Sequence, residues 1–377
     1  NPFDPDMASM IHNEMRKHGI KLVLGYTVEG FKEKDNGVEV LLKDNPSLQA
    51  DMVVLAIGVT PDTALAKEAG LELGIKGSIV VNDRMETSVP DIYAAGDAVQ
   101  VKHYVTGDDA LISLAGPANK QGRIIADNIC GGDSRYLGSQ GSSVIKVFDM
   151  TAATTGINET NAKKSGLEVD TVILSPMSHA GYYPGGKVMT MKVVFEKETY
   201  RLLGAQIIGY EGVDKRIDVL ATAIHAGLKA TQLKDLDLAY APPYSSAKDP
   251  VNMAGFMIDN IAKGTLKQWH LEDMDKISKD KSVVLLDVRT VGEFNRGHMD
   301  GFKNIPVDEL RERINEIEKG KPVYLICQSG LRSYIASRIL EGNGYETYNF
   351  SGGFRFYDAV VNDRALIEKA YACGMDY

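Results

Sequence analysis

The sequence predicts a mixed α/β chain in three parts, and three observations carry that prediction. Short apolar strands and glycine turns fill residues 1–141, a run of strands around two helices fills 142–262, and strands alternate with helices from 270 to 377. The middle pattern predicts an α+β fold with a mostly antiparallel sheet. The last predicts a parallel, doubly wound sheet.

Composition narrows the class of function. Hydrophobic residues make up 44% and charged residues 25%, the profile of a globular chain. With 42 basic against 51 acidic residues the net charge is −9, which argues against a nucleic acid or an anionic membrane as partner. The longest apolar run, Met52 to Val59, is too short to span a bilayer. Three cysteines make no disulfide framework, so a reducing cytoplasm is the expected setting. No metal site is read. The opening Asn1-Pro-Phe-Asp-Pro-Asp carries neither an initiator Met nor a signal pattern, and reads as a start partway through a domain.

Taken in order, Asp4-Pro5 starts a helix that runs to His18, with Met7, Met10, Ile11 and Met15 at helical spacing. Lys21–Leu24 reads as a short strand. Val28–Lys34 and Val38–Lys43 flank Asp35-Asn36-Gly37, a strong hairpin signal. Met52–Ile57, apolar on both faces, reads as a buried strand. Ser78–Val81 and Ile92–Ala95 read as strands and Gly116–Ile129 as a helix. In the middle part, strands are expected at Val144–Phe148, Val169–Leu174, Val188–Phe195 and Leu202–Ile208, with helices near Glu159–Ser165 and Lys215–Ala226. Ala262–Gln268 reads as a linker. Beyond it come strands at Val283–Val288, Pro322–Ile326 and Thr347–Phe350, and helices at Val307–Glu318 and Tyr334–Leu340.

The most informative stretch is Val323-Tyr-Leu-Ile-Cys327-Gln328-Ser329-Gly330-Leu331-Arg332-Ser333. A buried strand ends at Cys327, a glycine-containing loop follows, and a helix begins near Leu331. Loop N–H groups and a helix N-terminus favour negative charge there, which suits a nucleophilic thiolate. Arg332 adds a fixed positive charge able to hold an anionic donor. Four residues separate Cys327 from Arg332, a loop that fits one sulfur atom on the thiolate; the related phosphatase loop has five. Sulfur transfer is the chemistry expected. Packing as a small buried hydrophobe is the bland reading of Cys327. The polar loop and Arg332 argue against it. Cys130 and Cys373 read as incidental.

The surroundings resemble the rhodanese family. Val284-Leu-Leu-Asp287-Val-Arg289, Glu293-Phe-x-x-Gly297-His298-x-x-Gly301, Asn304-Ile-Pro306, the cysteine loop and Ser351-Gly-Gly353 follow in the family's order. The resemblance implies that Cys327 carries sulfane sulfur and that Asp287 and Arg289 frame the loop. His298 is expected to be a structural hydrogen-bonding residue.

Residues 1–262 resemble a second family. Tyr93-Ala-Ala-Gly96-Asp97-Ala98 follows Leu55-Ala-Ile-Gly58-Val-Thr-Pro61, and Leu114-Ala115-Gly-Pro117-Ala-Asn119 opens a helix. A carboxylate after Gly at a strand end can reach a ribityl hydroxyl, and a helix N-terminus can stabilise a reduced flavin. This order is similar to the coenzyme A-disulfide reductase and NADH-dependent persulfide reductase group. The implied fold is a partial FAD/NAD(P)-binding disulfide-reductase fold: residues 1–63 from the NADH-binding domain, 64–141 from the FAD-binding domain, 142–262 a dimerisation domain, and 270–377 the rhodanese. FAD, NADH and coenzyme A are the implied cofactors and substrates, with Gly96, Asp97, Leu114, Ala115 and Pro117 at the flavin. A homodimer is implied, in which Tyr240 and Tyr244 of Tyr240-Ala-Pro-Pro-Tyr244 reach the partner's site. The turn His179-Ala-Gly-Tyr-Tyr183 reads equally well as part of that pocket or as a surface turn. Small sulfane-sulfur donors and acceptors are the implied partners.

The sequence departs from that family in three respects. It has no G-x-G-x-x-G for FAD, no second such motif for NADH, and no cysteine in the place of the family's redox thiol. For this chain alone, little bound FAD is expected. The alternative is a sulfurtransferase or sulfur carrier whose reductase part serves dimerisation.

Overall fold

The computed structural model describes residues 2–373, with the side chains of the last helix described as far as Ile367. Residues 1–21 and 143–366 form one compact unit, and 22–142 fall in a second.

Helix α1 (Pro5–Lys17) starts where Asp4-Pro5 predicted, with Pro in the first turn and Arg16 and Lys17 in the last. Strand β1 (Val28–Lys34) and strand β2 (Gly37–Leu42) form the expected hairpin across Asp35-Asn36. A third strand, β3 (Asn45–Ala50), was not read from sequence. It pairs antiparallel with β2, and Pro46 is tolerated because β3 is an edge.

Four expected strands are absent. Met52–Ile57 lies outside any ladder, and Met52, Val54, Leu55 and Ile57 are exposed. An apolar run becomes a buried strand only where neighbouring strands take up its backbone, and the described residues supply none here. Lys21–Leu24 likewise forms no strand. Ser78–Val81 and Ile92–Ala95 make only isolated bridges, Ile79 to Leu73 and Val99, and Tyr93 to Glu86. Their apolar residues mark burial instead: Ile79, Val81 and Ala94 pack around Met85, Val99 and Val101. Short helix α2 (Ala64–Glu68), the two-residue strands β4 (Val101–Lys102) and β5 (Asp109–Ala110), and helix α3 (Ala115–Ile129) complete this unit.

The middle part is a five-stranded antiparallel sheet. Its strands are β6 (Ser143–Val147), β7 (Met150–Gly156), β8 (Val169–Leu174), β9 (Met189–Glu196) and β10 (Leu202–Gly209), in the order β6-β7-β10-β9-β8. Strand β7, not read from sequence, is built largely of Ala and Thr rather than alternating apolar residues. It pairs with β10 all the same, because both neighbours bury it. Helices α4 (Glu159–Lys164), α5 (Val213–His225) and α6 (Pro250–Ala262) lie with this sheet.

The C-terminal part is parallel, as alternation predicted. Strands β11 (Gln268–Trp269), β12 (Val284–Asp287), β13 (Lys303–Asn304), β14 (Val323–Ile326) and β15 (Thr347–Phe350) run in the order β11-β15-β14-β12-β13. Helices α7 (Met274–Ile277), α8 (Val291–Arg296), α9 (Leu331–Glu341) and α10 (Gly353–Cys373) connect and cover them. The helix expected at Val307–Glu318 is instead a chain of tight turns with one 3-10 turn at Ile314–Glu316. Its backbone bonds close over three residues, Glu309 to Pro306 and Leu310 to Val307, while Leu310 and Ile317 are drawn into the core. The charge pattern that mimicked a helix is satisfied across these turns by Arg313, which donates to both Glu309 and Glu316.

Two features join the middle and C-terminal parts. The open edge of β8 is capped by side chains: the Ile173 N–H donates to Ser351 Oγ at 3.0 Å, and Gln268 Nε2 donates to the Thr171 carbonyl at 2.8 Å. Helix α1 wedges between the sheet and α10, burying Met7 with Met150, Ile208, Phe356 and Val360. Its Arg16 and His12 bond Asp363, with His12 Nδ1 at 2.9 Å.

Candidate functional site

Cys327 stands at the carboxyl end of central strand β14, where a parallel sheet opens its ligand crevice. The residue is 1% exposed. Its Sγ accepts the Gly330 N–H at 3.1 Å and lies 3.2 Å from Ser333 Oγ. Gly330 supplies the left-handed turn, at φ +98°, that feeds the chain into α9. Behind the loop, Gly353 has φ +70°, and a Cβ there would sit 2.7 Å from the Gln328 carbonyl. The Phe354 and Arg355 N–H groups donate to the Cys327 and Gln328 carbonyls at 2.8 and 3.2 Å, pinning the loop from the Ser351-Gly-Gly353 side. Leu331 is exposed at the rim, and Ser329 is half-buried.

Asp287 and Arg289 form a fully buried pair, Arg289 Nη2 donating to Asp287 Oδ2 at 2.6 Å and to the Gly297 carbonyl at 2.8 Å. The Arg289 guanidinium stacks 3.8 Å from the Phe354 ring and reaches Gln328 Oε1 at 3.5 Å. Asn304 Nδ2 donates to the carbonyls of both Asp287 and Arg289. These contacts hold the first strand's end against the cysteine loop. His298 donates from Nδ1 to the Phe294 carbonyl at 3.1 Å and stacks on the Phe294 ring.

Arg332, expected from the sequence to add a fixed positive charge able to hold an anionic donor, is paired with a carboxylate. Its guanidinium forms a two-pronged pair with Glu293, both distances 2.7 Å. That pair, joined by bonds from the Thr290 N–H and hydroxyl, holds the Glu293 carboxyl down at about 2. Thr290-x-x-Glu293 is a capping-box pattern legible in the sequence, but not the partner its carboxylate would also take. Arg289, Arg296 and Arg355 line a cavity of about 530 Å³ beside Gln328, together with the carboxylates of Glu293 and Asp358.

Tyr240 and Tyr244 line a separate cavity of about 520 Å³ with Lys215 and Glu211. Tyr240 Oη lies 2.6 Å from Tyr182 Oη, which brings the His179–Tyr183 turn into this site. The loop is anchored from below by buried Arg216, which donates to Asp249, Ser245 Oγ and the Ser178 and Tyr244 carbonyls. Tyr244 is 72% exposed.

In the unit of residues 22–142, Gly96 donates its N–H to Gln121 Oε1 at 2.7 Å, which sets it against the first turns of α3. Asp97 is exposed, and Leu114, ahead of Ala115 and Pro117, leaves the α3 N-terminus without a side-chain cap. A carboxylate and an uncapped helix terminus match the ring and ribityl end of a flavin. The donors for its pyrophosphate, a glycine-rich cradle at a strand end, are not among the described residues. Cys130 is exposed at the end of α3, and the Cys373 side chain lies outside the described residues. Among the described residues no group of His, Cys, Asp and Glu could hold a metal ion, and no helix is long and apolar enough to cross a membrane.

Three stretches of the chain match known protein families. Residues 1–122 match the pyridine nucleotide-disulphide oxidoreductases, 142–250 their dimerisation domain, and 270–359 the rhodanese-like domain. The chain therefore belongs to the pyridine nucleotide-disulphide oxidoreductases and carries a rhodanese-like domain. A CoA-dependent NAD(P)H sulfur oxidoreductase of Pyrococcus abyssi is 37% identical over 249 residues, 66% of this chain and 55% of the relative. A coenzyme A disulfide reductase of Staphylococcus aureus is 35% identical over 67% of this chain and 57% of its own length. Among solved structures, reduced Bacillus anthracis CoADR-RHD superposes with a TM-score of 0.93 at 46% identity, over 96% of this chain and 65% of that one. A NAD-dependent persulfide reductase from A. fulgidus superposes at 0.86 with 40% identity, over 94% and 65%. The chain thus spans little more than half the length of the curated relatives it matches.

Proposed function

We propose that this protein couples sulfane-sulfur transfer at Cys327 to NADH- and FAD-dependent reduction of a coenzyme A persulfide, polysulfide or disulfide. The observation that carries the proposal is the Cys327 sulfur, seated at a strand end and bonded by the Gly330 N–H, in a chain that also contains the reductase dimerisation domain. The Cys327 thiolate attacks the outer sulfur of a donor such as thiosulfate. The donor's S–S bond breaks, sulfite leaves with the electron pair, and Cys327 holds a persulfide. A coenzyme A thiolate then attacks the terminal sulfur and takes it as CoA persulfide, which regenerates the Cys327 thiolate. FAD, when bound, supplies the two electrons from NADH that, with two protons, split CoA persulfide into CoA thiol and hydrogen sulfide. Asp97 and the α3 N-terminus would hold its ring end, and Tyr240, with Tyr182 and Tyr244, would donate to the developing thiolate across a homodimer interface. A reducing cytoplasm suits each of these thiols.

The alternative is a sulfurtransferase or sulfur carrier whose reductase part serves dimerisation. Purified protein is tested for flavin absorbance and for thiosulfate:cyanide turnover. Turnover with bound flavin and NADH-dependent sulfide release is the expected result for the complete protein. Turnover without flavin supports the transferase alone, and absence of turnover refutes the proposal.

A further inference from the structure

Beside the cysteine loop the fold leaves arginines that the sulfur transfer described above does not use. The cavity of about 530 Å³ along Gln328 is of a size that takes a whole small molecule, far more than thiosulfate needs. Its charged lining is Arg289, Arg296 and Arg355 with Glu293 and Asp358. Glu293 is committed: both its oxygens meet Arg332, and it also accepts from Thr290. Arg289 is 1% exposed and spends Nε and Nη2 on Asp287 and the Gly297 carbonyl. Its Nη1 has only Gln328 Oε1, at 3.5 Å, the long limit of a hydrogen bond, so one edge of a buried cation remains for a stronger acceptor. Arg296, in the last turn of α8, and Arg355, in the first turn of α10, are exposed, and neither pairs with a carboxylate among the described residues. The Arg289–Asp287 and Arg332–Glu293 pairs are each neutral, which leaves two arginines against Asp358 alone. In a chain of net charge −9 this is a local excess of positive charge.

We propose that this cavity is a phosphate-binding subsite in which Arg296, Arg355 and the open edge of Arg289 hold the phosphates of the coenzyme A that takes sulfur from Cys327. The planar fork of arginine matches phosphate oxygens in pairs, which a lone ammonium does not. Gln328 follows the nucleophile in the chain and lines the cavity, so one residue joins the two places. The flexible pantetheine arm leads the thiol from the cavity to the loop, where it attacks the outer sulfur of the Cys327 persulfide and leaves the Cys327 thiolate. Asp358 repels the phosphates and weakens the hold. The inference rests on the reading of coenzyme A as the sulfur acceptor.

The test loads Cys327 of the whole chain with sulfur from thiosulfate, removes the excess by gel filtration, and follows loss of the persulfide mass against acceptor concentration. Coenzyme A is compared with pantetheine, which has the same thiol arm and no phosphate. The unaltered protein should reach half-maximal rate at a coenzyme A concentration about tenfold or more below that of pantetheine, an advantage that shrinks in high salt. Arg296→Ala and Arg355→Ala should each reduce the advantage about fivefold and Asp358→Asn should increase it, with the maximal rate little changed. Equal half-saturation by the two acceptors, an arginine variant that weakens both alike, or a smaller advantage in Asp358→Asn overturns the proposal. A lowered melting temperature with an unmoved ratio, the mark of a packing role, overturns it too. A second readout does not depend on transfer. Phenylglyoxal modifies exposed arginines, and desulfo-coenzyme A, which keeps the phosphates and lacks the thiol, should shield Arg296 and Arg355 as read by peptide mass. Shielding without sulfur transfer to either acceptor removes coenzyme A as the acceptor and keeps the site. Transfer without shielding keeps that acceptor and removes the site.

Discussion

Arg332→Ala distinguishes an anchor from a substrate holder, and the structure sets the size of the effect. The guanidinium meets Glu293 through two bonds of 2.7 Å, with the side chains 31% and 21% exposed. Moving a carboxyl from its ordinary 4.5 to about 2 represents roughly 3 kcal/mol of preference for the ionised form. Arg332 is the largest cause, but Thr290 shares the effect and both partners meet solvent, so screening leaves the pair about 1–2 kcal/mol. The folded value is depressed. The stabilisation is therefore complete above 4.5 and lost as pH falls towards 2. The chain's single tryptophan, Trp269, is buried in the rhodanese core against Phe350 and Phe302, so its fluorescence reports unfolding of that domain. In urea, Arg332→Ala should lower stability by about 1–2 kcal/mol at neutral pH and by clearly less near pH 3. Thiosulfate turnover should fall about tenfold at most, with KM little changed. A large rise in KM with an unmoved urea midpoint would refute the reasoning and make Arg332 a substrate holder.

Three further predictions follow from other parts of the molecule. Cys327→Ser should abolish thiosulfate turnover and the persulfide mass increment with the fold intact, because a serine hydroxyl is too weak an acid to act as an anion there, whereas Cys130→Ser should be silent; an increment that survives in Cys327→Ser would move the site. Lys192 is 2% exposed and faces Asp4, Asp6 and Glu159 at 3.2, 2.8 and 2.7 Å; burial alone would lower its value, but the three carboxylates together raise it. Lys192→Met removes the buried cation these carboxylates share, leaving Lys163 as a second cation for Glu159 alone, and should cost about 3–5 kcal/mol in denaturation followed by circular dichroism, and a loss under about 1 kcal/mol would contradict it. For His270, burial favours the neutral ring, yet the Asp170 carboxylate at 3.1 Å outweighs it and raises the value. The contact between β8 and the rhodanese domain should therefore be strongest below the usual histidine range and weaken as pH rises through the raised value. Hydrogen exchange at the Ile173 amide, slower near pH 6 than intrinsic rates predict and less so near pH 9, checks this, and Asp170→Asn should erase the difference.

The cysteine loop was legible because everything that defines it is contiguous: a strand, a turn at Gly330 and a helix start lie within a dozen residues, and local steric rules read such runs directly. The same holds for Asp4-Pro5 and Asp35-Asn36-Gly37, where capping and turn chemistry act over two or three residues. What escaped was set at longer range. Arg332 finds Glu293 across 39 residues and Asn349 finds Gly330 across 19, so neither partner is visible in either residue's own neighbourhood. Tyr182 meets Tyr240 across 58 residues, which is why its turn read equally well as surface. Met52–Ile57 errs in the other direction: its pattern states a preference for burial, and only neighbouring strands can grant it. The sequence by itself marked where the strand-helix patterns change and singled out Cys327 as the candidate nucleophile, because periodicity and turn chemistry are local. The tertiary structure decided which charges are committed, which carbonyls have a second donor and which apolar runs find a sheet, because hydrogen bonds and burial depend on groups that folding alone brings together.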